Sequence, residues 1–305
     1  MSTKKTTIWF IINPISGTRR KKKLPTLIRK HLNHQKFDYK LYYSQYKGHA
    51  AELTKEAVAK KIDIICAVGG DGSAHEIGVN LIHSDSCLAI IPRGSGNGIS
   101  NHMGIPNRTV RAIKCLNNSF QIKIDTVAVN DSHFLGIGGY GIDAFIAKKF
   151  DRSGKRGLKT YIKHTVQEFY KYKPIQVEIE IKEKSQMVDA FLLSIANTSE
   201  LGNRFAISPN SSVQDGIIEM VIVKPFPKWT SPFLVARFIG KKGHKSKFVE
   251  TIKFEKATLK LNDDLAHYDG EHTKEKKMIK IEVVPSSLNI FVNKNKLSKI
   301  YSSED

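Results

Sequence analysis

The 305-residue chain is long enough for two domains. With 40% hydrophobic and 26% charged residues it carries apolar material for real cores, which excludes global disorder, a collagen-like chain and a small disulfide scaffold. Lys and Arg total 49 against 29 Asp and Glu, a formal net charge of +20 that should attract a polyanion: nucleic acid, an anionic membrane face or phosphorylated substrates. Cys66, Cys87 and Cys115 form no CxxC, and the first two lie in apolar runs, so they read as packing residues in a reducing cytosol.

In chain order, Lys4-Lys5 and the apolar run 8–12 resemble a signal peptide only superficially. The run is too short, and Asn13-Pro14 ends it, so it reads as the first strand of a cytoplasmic protein. No stretch approaches the ~18 apolar residues of a membrane-spanning helix. Strands are predicted at 7–12, 37–42, 62–68 and 87–91, with helices at 21–32, 50–60 and 73–82 between them. Alternation of this kind implies βαβ units and a mostly parallel sheet, with ligands at the carboxyl ends of its strands. Beyond about residue 120 the pattern changes. Runs 122–129 and 133–137 flank Asn130-Asp131-Ser132 as a hairpin, and 141–150 and 158–172 look helical. Strands follow at 177–181, 190–196, 217–223, 251–254, 258–261, 279–284 and 288–292, with a helical insert near 231–238. The expected fold class is an α/β N-terminal nucleotide-binding domain, residues 1–122, and an antiparallel β-rich, sandwich-like domain, residues 123–305, with a cleft between them. The last residues are free to return to the first domain.

Three loops at the carboxyl ends of strands carry the chemistry. Gly69-Gly70-Asp71-Gly72-Ser73 follows an apolar strand and opens a helix, so its backbone amides and the helix's positive end suit a phosphate chain. Asp71 would then hold a magnesium ion or take the proton of an attacking hydroxyl. Pro92-Arg93-Gly94-Ser95-Gly96-Asn97-Gly98 and Asn13-Pro14-Ile15-Ser16-Gly17 end neighbouring strands, which makes a phosphate cradle at one sheet edge the better reading than three unrelated turns.

Together these loops closely resemble the diacylglycerol kinase catalytic domain, whose superfamily includes sphingosine and ceramide kinases and bacterial lipid kinases. The resemblance continues through Ser44 with Gly48-His49-Ala50, Gly139-Tyr140-Gly141-Ile142-Asp143, Asp215-Gly216 and Asp269-Gly270-Glu271, in order and over nearly the whole chain. Ser73 and Ser95 stand where the family commonly has Thr, and His75 where it often has Asn. Gly98 stands where the diacylglycerol kinase type usually carries Asp, a form closer to the sphingosine kinases. The resemblance implies transfer of the ATP γ-phosphate to a lipid hydroxyl, with Mg²⁺. It places nucleotide contacts at Asn13, Pro14, Ile15, Ser16, Gly17, Ser44, Gly69, Gly70, Asp71, Gly72, Ser73, Ala74 and His75, and at the loop Gly94, Ser95, Gly96 and Asn97. Glu271 matches the general base of bacterial members, beside Asp269, whereas sphingosine kinases assign that role to the aspartate matching Asp71. Asp215 matches an acidic residue of a magnesium site, with backbone carbonyls at Ser212 and Ile217. Asp269 and Glu271, one glycine apart, are expected on the same side of a strand.

Two rival readings stay open: a soluble-metabolite kinase of the NAD kinase type, which also carries a GGDG loop, and a non-catalytic nucleic-acid or membrane binder driven by charge. No GxxxxGK[ST], HExxH or nucleic-acid-binding motif is present, so neither a P-loop, a zinc site nor a specific nucleic-acid partner is expected. Gly136-Ile137-Gly138-Gly139-Tyr140-Gly141 satisfies GxGxxG but follows a hairpin, and reads as close backbone packing. Basic runs at 19–23, 148–159 and 241–247 are ordinary solvated faces or a means of reaching anionic lipid, as a lipid kinase peripheral on the inner membrane face would need. Trp229, Phe233 and Phe238 read as core, with membrane insertion as the alternative. The lipid acceptor and the oligomeric state, a homodimer included, stay open.

Overall fold

A computed structural model describes residues 4–16, 23–152, 168–202 and 205–294. Gly17, most of the basic run at 19–23, the second part of the run at 148–159 and most of the helix expected at 158–172 lie outside the described residues. The chain divides into two compact units, residues 1–124 with 286–305, and residues 125–285.

The first unit is built on a parallel sheet. Strand β1 (Thr6–Ile12) lies between β2 (Phe37–Tyr43) and β3 (Ile64–Gly69), and β4 (Cys87–Pro92) pairs with β3. Strands β3 and β4 are buried throughout, as central strands covered on both faces should be, whereas β2, on the edge, is mostly half-exposed or exposed. Helices α1 (Leu24–His31), α2 (His49–Ala59), α3 (Asp71–Gly78), α4 (Gly98–His102) and α5 (Thr109–Asn117) follow the strands in turn. The expected helix at 73–82 therefore begins two residues earlier, at Asp71. Cys66 and Cys87 are free, buried thiols pushed far up by desolvation, which suits packing rather than reactivity.

The second unit is a sandwich. Its first layer contains β8 (Ile175–Ile181), β9 (Lys184–Ala190), β15 (Lys256–Leu261) and the first part of β18 (Met278–Asn293). Its second layer runs β14 (Val249–Phe254), β13 (Ile218–Val223), β10 (Leu192–Ala196), β7 (Ile137–Gly141), β16 (Leu265–Tyr268) and β17 (Glu271–Lys274), all antiparallel. Alternate residues of both layers meet in one core, Val177 and Ile179, Leu259 and Leu261, Ile279 and Ile281 from one side, Leu193 and Ile195, Ile218 and Met220 from the other. The alternation that predicted strands thus also assigns their inner faces. The remaining strands are β5 (Ser119–Val129), β6 (Ser132–Phe134) and the short pair β11 (Glu200–Gly202) and β12 (Phe205–Ala206). Helix α6 (Ile142–Arg152) follows β7, and α7 (Ser231–Ile239) follows β13.

Two expectations need correction. The runs 279–284 and 288–292 are one strand, β18, carried through Pro285 and a left-handed Ser286 (φ 49°). Its early residues pair with β15, and Ile290 aligns in parallel with Leu88 of β4 in the first unit's sheet. The residues 190–196 are not one strand either, because β9 ends at Ala190 and β10 starts at Leu192.

Candidate active site

In the first unit, parallel register sets the carboxyl ends of three strands side by side. Ile12 of β1 aligns with Val68 of β3, and Gly69 of β3 with Pro92 of β4. The loops that follow are locked to one another. The Asn13 carboxamide accepts from the Ile15 amide (3.1 Å), an Asx turn, while its Nδ2 donates to Ser73 Oγ at the start of α3 (3.3 Å). Ser16 Oγ donates to the Asn13 carbonyl (3.2 Å), and the Ser44 amide to the Ile12 carbonyl (3.0 Å).

The glycines are there for close approach. A methyl group on Gly94 would lie 2.5 Å from the Gly70 Cα and 2.8 Å from Asn97 Oδ1, so the two glycine loops touch backbone to backbone. A methyl on Gly69 would lie 2.2 Å from Ser73 Oγ. Asn97 holds the left-handed position before α4 (φ 57°), accepting from the Gly94 amide (2.9 Å) and donating to the Gly94 carbonyl (3.1 Å) and to Asn107 Oδ1 (2.9 Å). Asp71 Oδ1 accepts from the Ile99 amide (3.2 Å), placing its charge at the positive end of α4. Ser95 is exposed, and Ser73 and Ala74 are buried, with Gly72 and His75 between those limits. Asn13, Ser16, Gly69, Gly70, Asp71, Ser73, Gly94 and Asn97 therefore form one connected cluster. Pro14 and Ile15 stand on its first loop, and Ile15 is exposed.

In the second unit the three residues Asp269, Gly270 and Glu271 do not lie along one strand. Asp269 (φ 51°) and Gly270 (φ 85°) are the two left-handed residues of a tight turn between β16 and β17, and Glu271 begins β17 opposite Tyr268. Their carboxylates part company. Asp269 is 6% exposed, and its two oxygens receive the amides of Leu135 (2.9 Å), Gly136 (2.7 Å) and Ile137 (3.1 Å). Glu271 is exposed and makes no hydrogen bond or ion pair among the described residues. Three amides around one carboxylate make Asp269 an anchor for the turn that presents Glu271.

The motif residue Asp143 meets a partner the sequence did not single out, two residues before that turn. His267 Nε2 meets Asp143 Oδ2 at 2.6 Å, both buried. Burial alone would push the imidazole down, but the charge of Asp143, its hydrogen bond and the charge of Asp269 outweigh it, and the net shift is upward. The room for this pair comes from Gly139, where a methyl would lie 2.1 Å from His267 Nε2 and 2.8 Å from Asp143 Oδ2. The glycine-rich 136–141 segment is thus a packing device for a buried ion pair.

Asp215 is exposed in an Asx turn, its Oδ1 accepting from the Ile217 amide (3.1 Å). The next amide, of left-handed Gly216 (φ 70°), donates to Oδ2 of buried Asp125 (2.8 Å). Partial desolvation pushes the Asp215 carboxyl up, against the local amides, and the nearby charge of Asp125 adds to it. Ser212, buried, precedes this turn. Asp125 went unnoticed because it sits among the other polar residues of a strand, Lys123 and Thr126, with no motif around it. Among the described residues no cluster of three or more His, Cys, Asp or Glu is arranged to hold a metal. Two carboxylates close enough for the charge of one to shift the other nevertheless suit Mg²⁺, which keeps waters and phosphate oxygens in its shell rather than an all-protein cage.

Residues 7–129 match the model of the diacylglycerol kinase catalytic domain, and residues 121–292 that of the YegS C-terminal NAD kinase beta sandwich-like domain. An uncharacterised protein of Synechocystis sp. is 27% identical over 227 residues, covering 70% of this chain and 52% of that protein. The diacylglycerol kinase of Bacillus subtilis is 27% identical over 221 residues, covering 70% of this chain and 72% of that enzyme. The match thus spans about half of the first relative and nearly three quarters of the second. A crystal structure of a diacylglycerol kinase from Bacillus anthracis str. Sterne shares the fold, with a TM-score of 0.73 at 22% identity, covering 96% of this chain and 99% of that one. With both models matched in succession along the sequence, the chain belongs to the diacylglycerol kinase catalytic-domain family, completed by the YegS-type C-terminal sandwich.

Proposed function

We propose that the protein is a lipid kinase, transferring the γ-phosphate of ATP to a lipid hydroxyl such as that of diacylglycerol or a sphingoid base. The observation that carries this reading is the locked loop cluster of the first unit, where the backbones of Gly70 and Gly94 approach so closely that a methyl group on Gly94 would lie 2.5 Å from the Gly70 Cα. Backbone amides exposed by such a cluster, with the positive end of α3 behind them, suit a chain of phosphates. Phosphoryl transfer asks mainly for positioning and charge neutralisation, and such a cluster supplies the first.

Glu271 is the general base in this proposal. It is an exposed carboxylate, without a partner among the described residues, on a turn held by Asp269, so it can take the proton of an incoming hydroxyl as the oxygen attacks phosphorus. Asp269 positions that turn. Asp71, tied to the amide at the start of α4, is the rival base. Mg²⁺, when bound, would neutralise phosphate charge, and Asp215 and Asp125, with carbonyls such as those of Ser212 and Ile217, are the residues to hold it. Added Mg²⁺ should therefore raise the unfolding midpoint of the free protein, and Asp215→Asn should abolish the rise. An equal rise in the variant, read by thermal shift without nucleotide, would remove Asp215 from the site.

The decisive assay offers labelled ATP with diacylglycerol, a sphingoid base, ceramide and phosphatidylglycerol in mixed micelles. NAD serves as the soluble competitor, because the C-terminal domain model carries the NAD kinase name. Label should enter a lipid. Label entering NAD alone would transfer the assignment to a metabolite kinase, and no transfer to any acceptor would defeat the proposal.

A further inference from the structure

Helix α7 (Ser231–Ile239) is anchored to the second unit by a narrow stripe. Leu234 and Phe238, one turn apart, are buried with Val221, Val223 and Ile207 on the face of β13 opposite the sandwich core, and Phe238 stacks on Phe205 at 4.8 Å. Of the three aromatic residues expected in the core, Phe238 is there. Trp229 and Phe233 are not, standing 74% and 70% exposed. At 100° per residue, the side of α7 opposite Leu234 and Phe238 presents Pro232, Ala236 and Ile239, flanked by Val235 and Phe233. A water-facing helix side is ordinarily polar, and here Arg237 is its one charge.

The rim is cationic. From Lys224 to Lys247 the sequence contains no Asp or Glu, while Lys228, Arg237, Lys241, Lys242, Lys245 and Lys247 lie within it. Local bonds shape this rim. Lys228 Nζ donates to the Tyr170 carbonyl, drawing exposed Tyr170 beside the Trp229 turn, and an Arg237 guanidinium nitrogen donates to the Lys245 carbonyl (3.0 Å). Lys241 is 3.8 Å from Glu200.

We propose that this face docks on an anionic phospholipid bilayer, with Trp229, Phe233 and Ile239 entering the headgroup–acyl boundary and the lysines facing the lipid phosphates. The purpose of such a surface rests on the lipid-kinase reading; its geometry does not. A nucleic acid would use the cations but leaves the exposed Phe233, Val235 and Ile239 unexplained. A second copy of the chain would set two cationic rims against each other. An apolar tip with basic flanks fits a bilayer on both counts, since aromatic side chains settle at the interface and each nearby Lys or Arg adds about fivefold to the partition onto anionic lipid.

The test uses the full chain and vesicles of phosphatidylglycerol and phosphatidylcholine in equal proportion. Of the two tryptophans, Trp9 is buried, so a blue shift of emission on adding vesicles reports Trp229. The shift should appear and should weaken with salt. Trp229→Ala with Phe233→Ala should lower vesicle partition by at least about tenfold. Lys242→Glu with Lys245→Glu should lower it by at least about fivefold per charge. Phosphorylation of a short-chain diacylglycerol dissolved as monomers should be unchanged in both variants. Absence of vesicle binding by the parent chain, an unshifted emission, or partition of either double variant equal to the parent's would overturn the docking face. A chain that binds vesicles through this face yet phosphorylates no lipid would instead defeat the kinase reading alone.

Discussion

Glu271→Gln is expected to slow phosphorylation by roughly 10²–10⁴-fold, the usual contribution of a positioned base, while leaving the unfolding midpoint in place. The two halves of that expectation have separate grounds. Stability should hold because the Glu271 carboxylate is exposed and has no partner among the described residues, and glutamine keeps its shape at the first position of β17. The rate should fall because an alcohol is too weak an acid to attack phosphorus readily unless its proton has somewhere to go. The loss should appear mainly in kcat, since the first unit's loops, to which the proposal assigns the nucleotide, are untouched. Asp71→Asn is the matched comparison, because asparagine can still accept from the Ile99 amide. A full rate in the Glu271 variant together with collapse in the Asp71 variant would transfer the base to Asp71.

How legible these features were depended on how far their causes lie along the sequence. The geometry of the glycine loops was readable because each is local. A buried strand ends, glycines follow and a helix begins, so Gly69, Gly70, Gly94 and Asn97 declare themselves within a few positions. The role of Asp269 was not readable, because its amide donors at Leu135, Gly136 and Ile137 are more than a hundred residues away. The expectation that Asp269 and Glu271 share a strand face failed for a local reason instead. Asp269 adopts a left-handed conformation that a β-branched residue would resist but Asp tolerates, and the chain reverses there. Strand β9 escaped notice because it is an edge strand with most side chains in water, and so lacks the alternation that marks its partner β8. Pro285 made β18 look like two strands, since proline interrupts a ladder and only tertiary pairing shows that the chain continues. Phe233 and Phe238 have equal hydrophobicity, and five residues of helix place one outside and the other in the core.

Asp143→Ala is expected to cost about 3–5 kcal/mol of unfolding free energy near pH 6, because it leaves His267 buried without its hydrogen-bonded carboxylate, with only the more distant charge of Asp269 to favour the imidazolium. The penalty should shrink as pH rises. The imidazole's value in the folded protein lies above its ordinary 6.5, so the stability it contributes is fully present below about that pH and is lost as pH rises through the folded value. Denaturant unfolding of the parent and the variant at pH 6 and pH 9 reads this directly. A gap that stays constant across that range would mean the histidine does not titrate with its partner. The same substitution should reach the chemistry. His267 lies in β16 opposite Gly139 of β7, two residues before the Asp269 turn, and across the hairpin it pairs with His272, the neighbour of Glu271. The buried pair thus holds the strand from which Glu271 is presented. Asp143→Ala should therefore lower the phosphorylation rate even at temperatures where the variant is fully folded, and Asp143→Asn, which can keep a hydrogen bond to the ring, should recover part of it. Rescue by asparagine separates loss of position from loss of charge. If geometry is what Asp143 supplies, the asparagine variant regains rate without regaining the parent's pH-dependent stability.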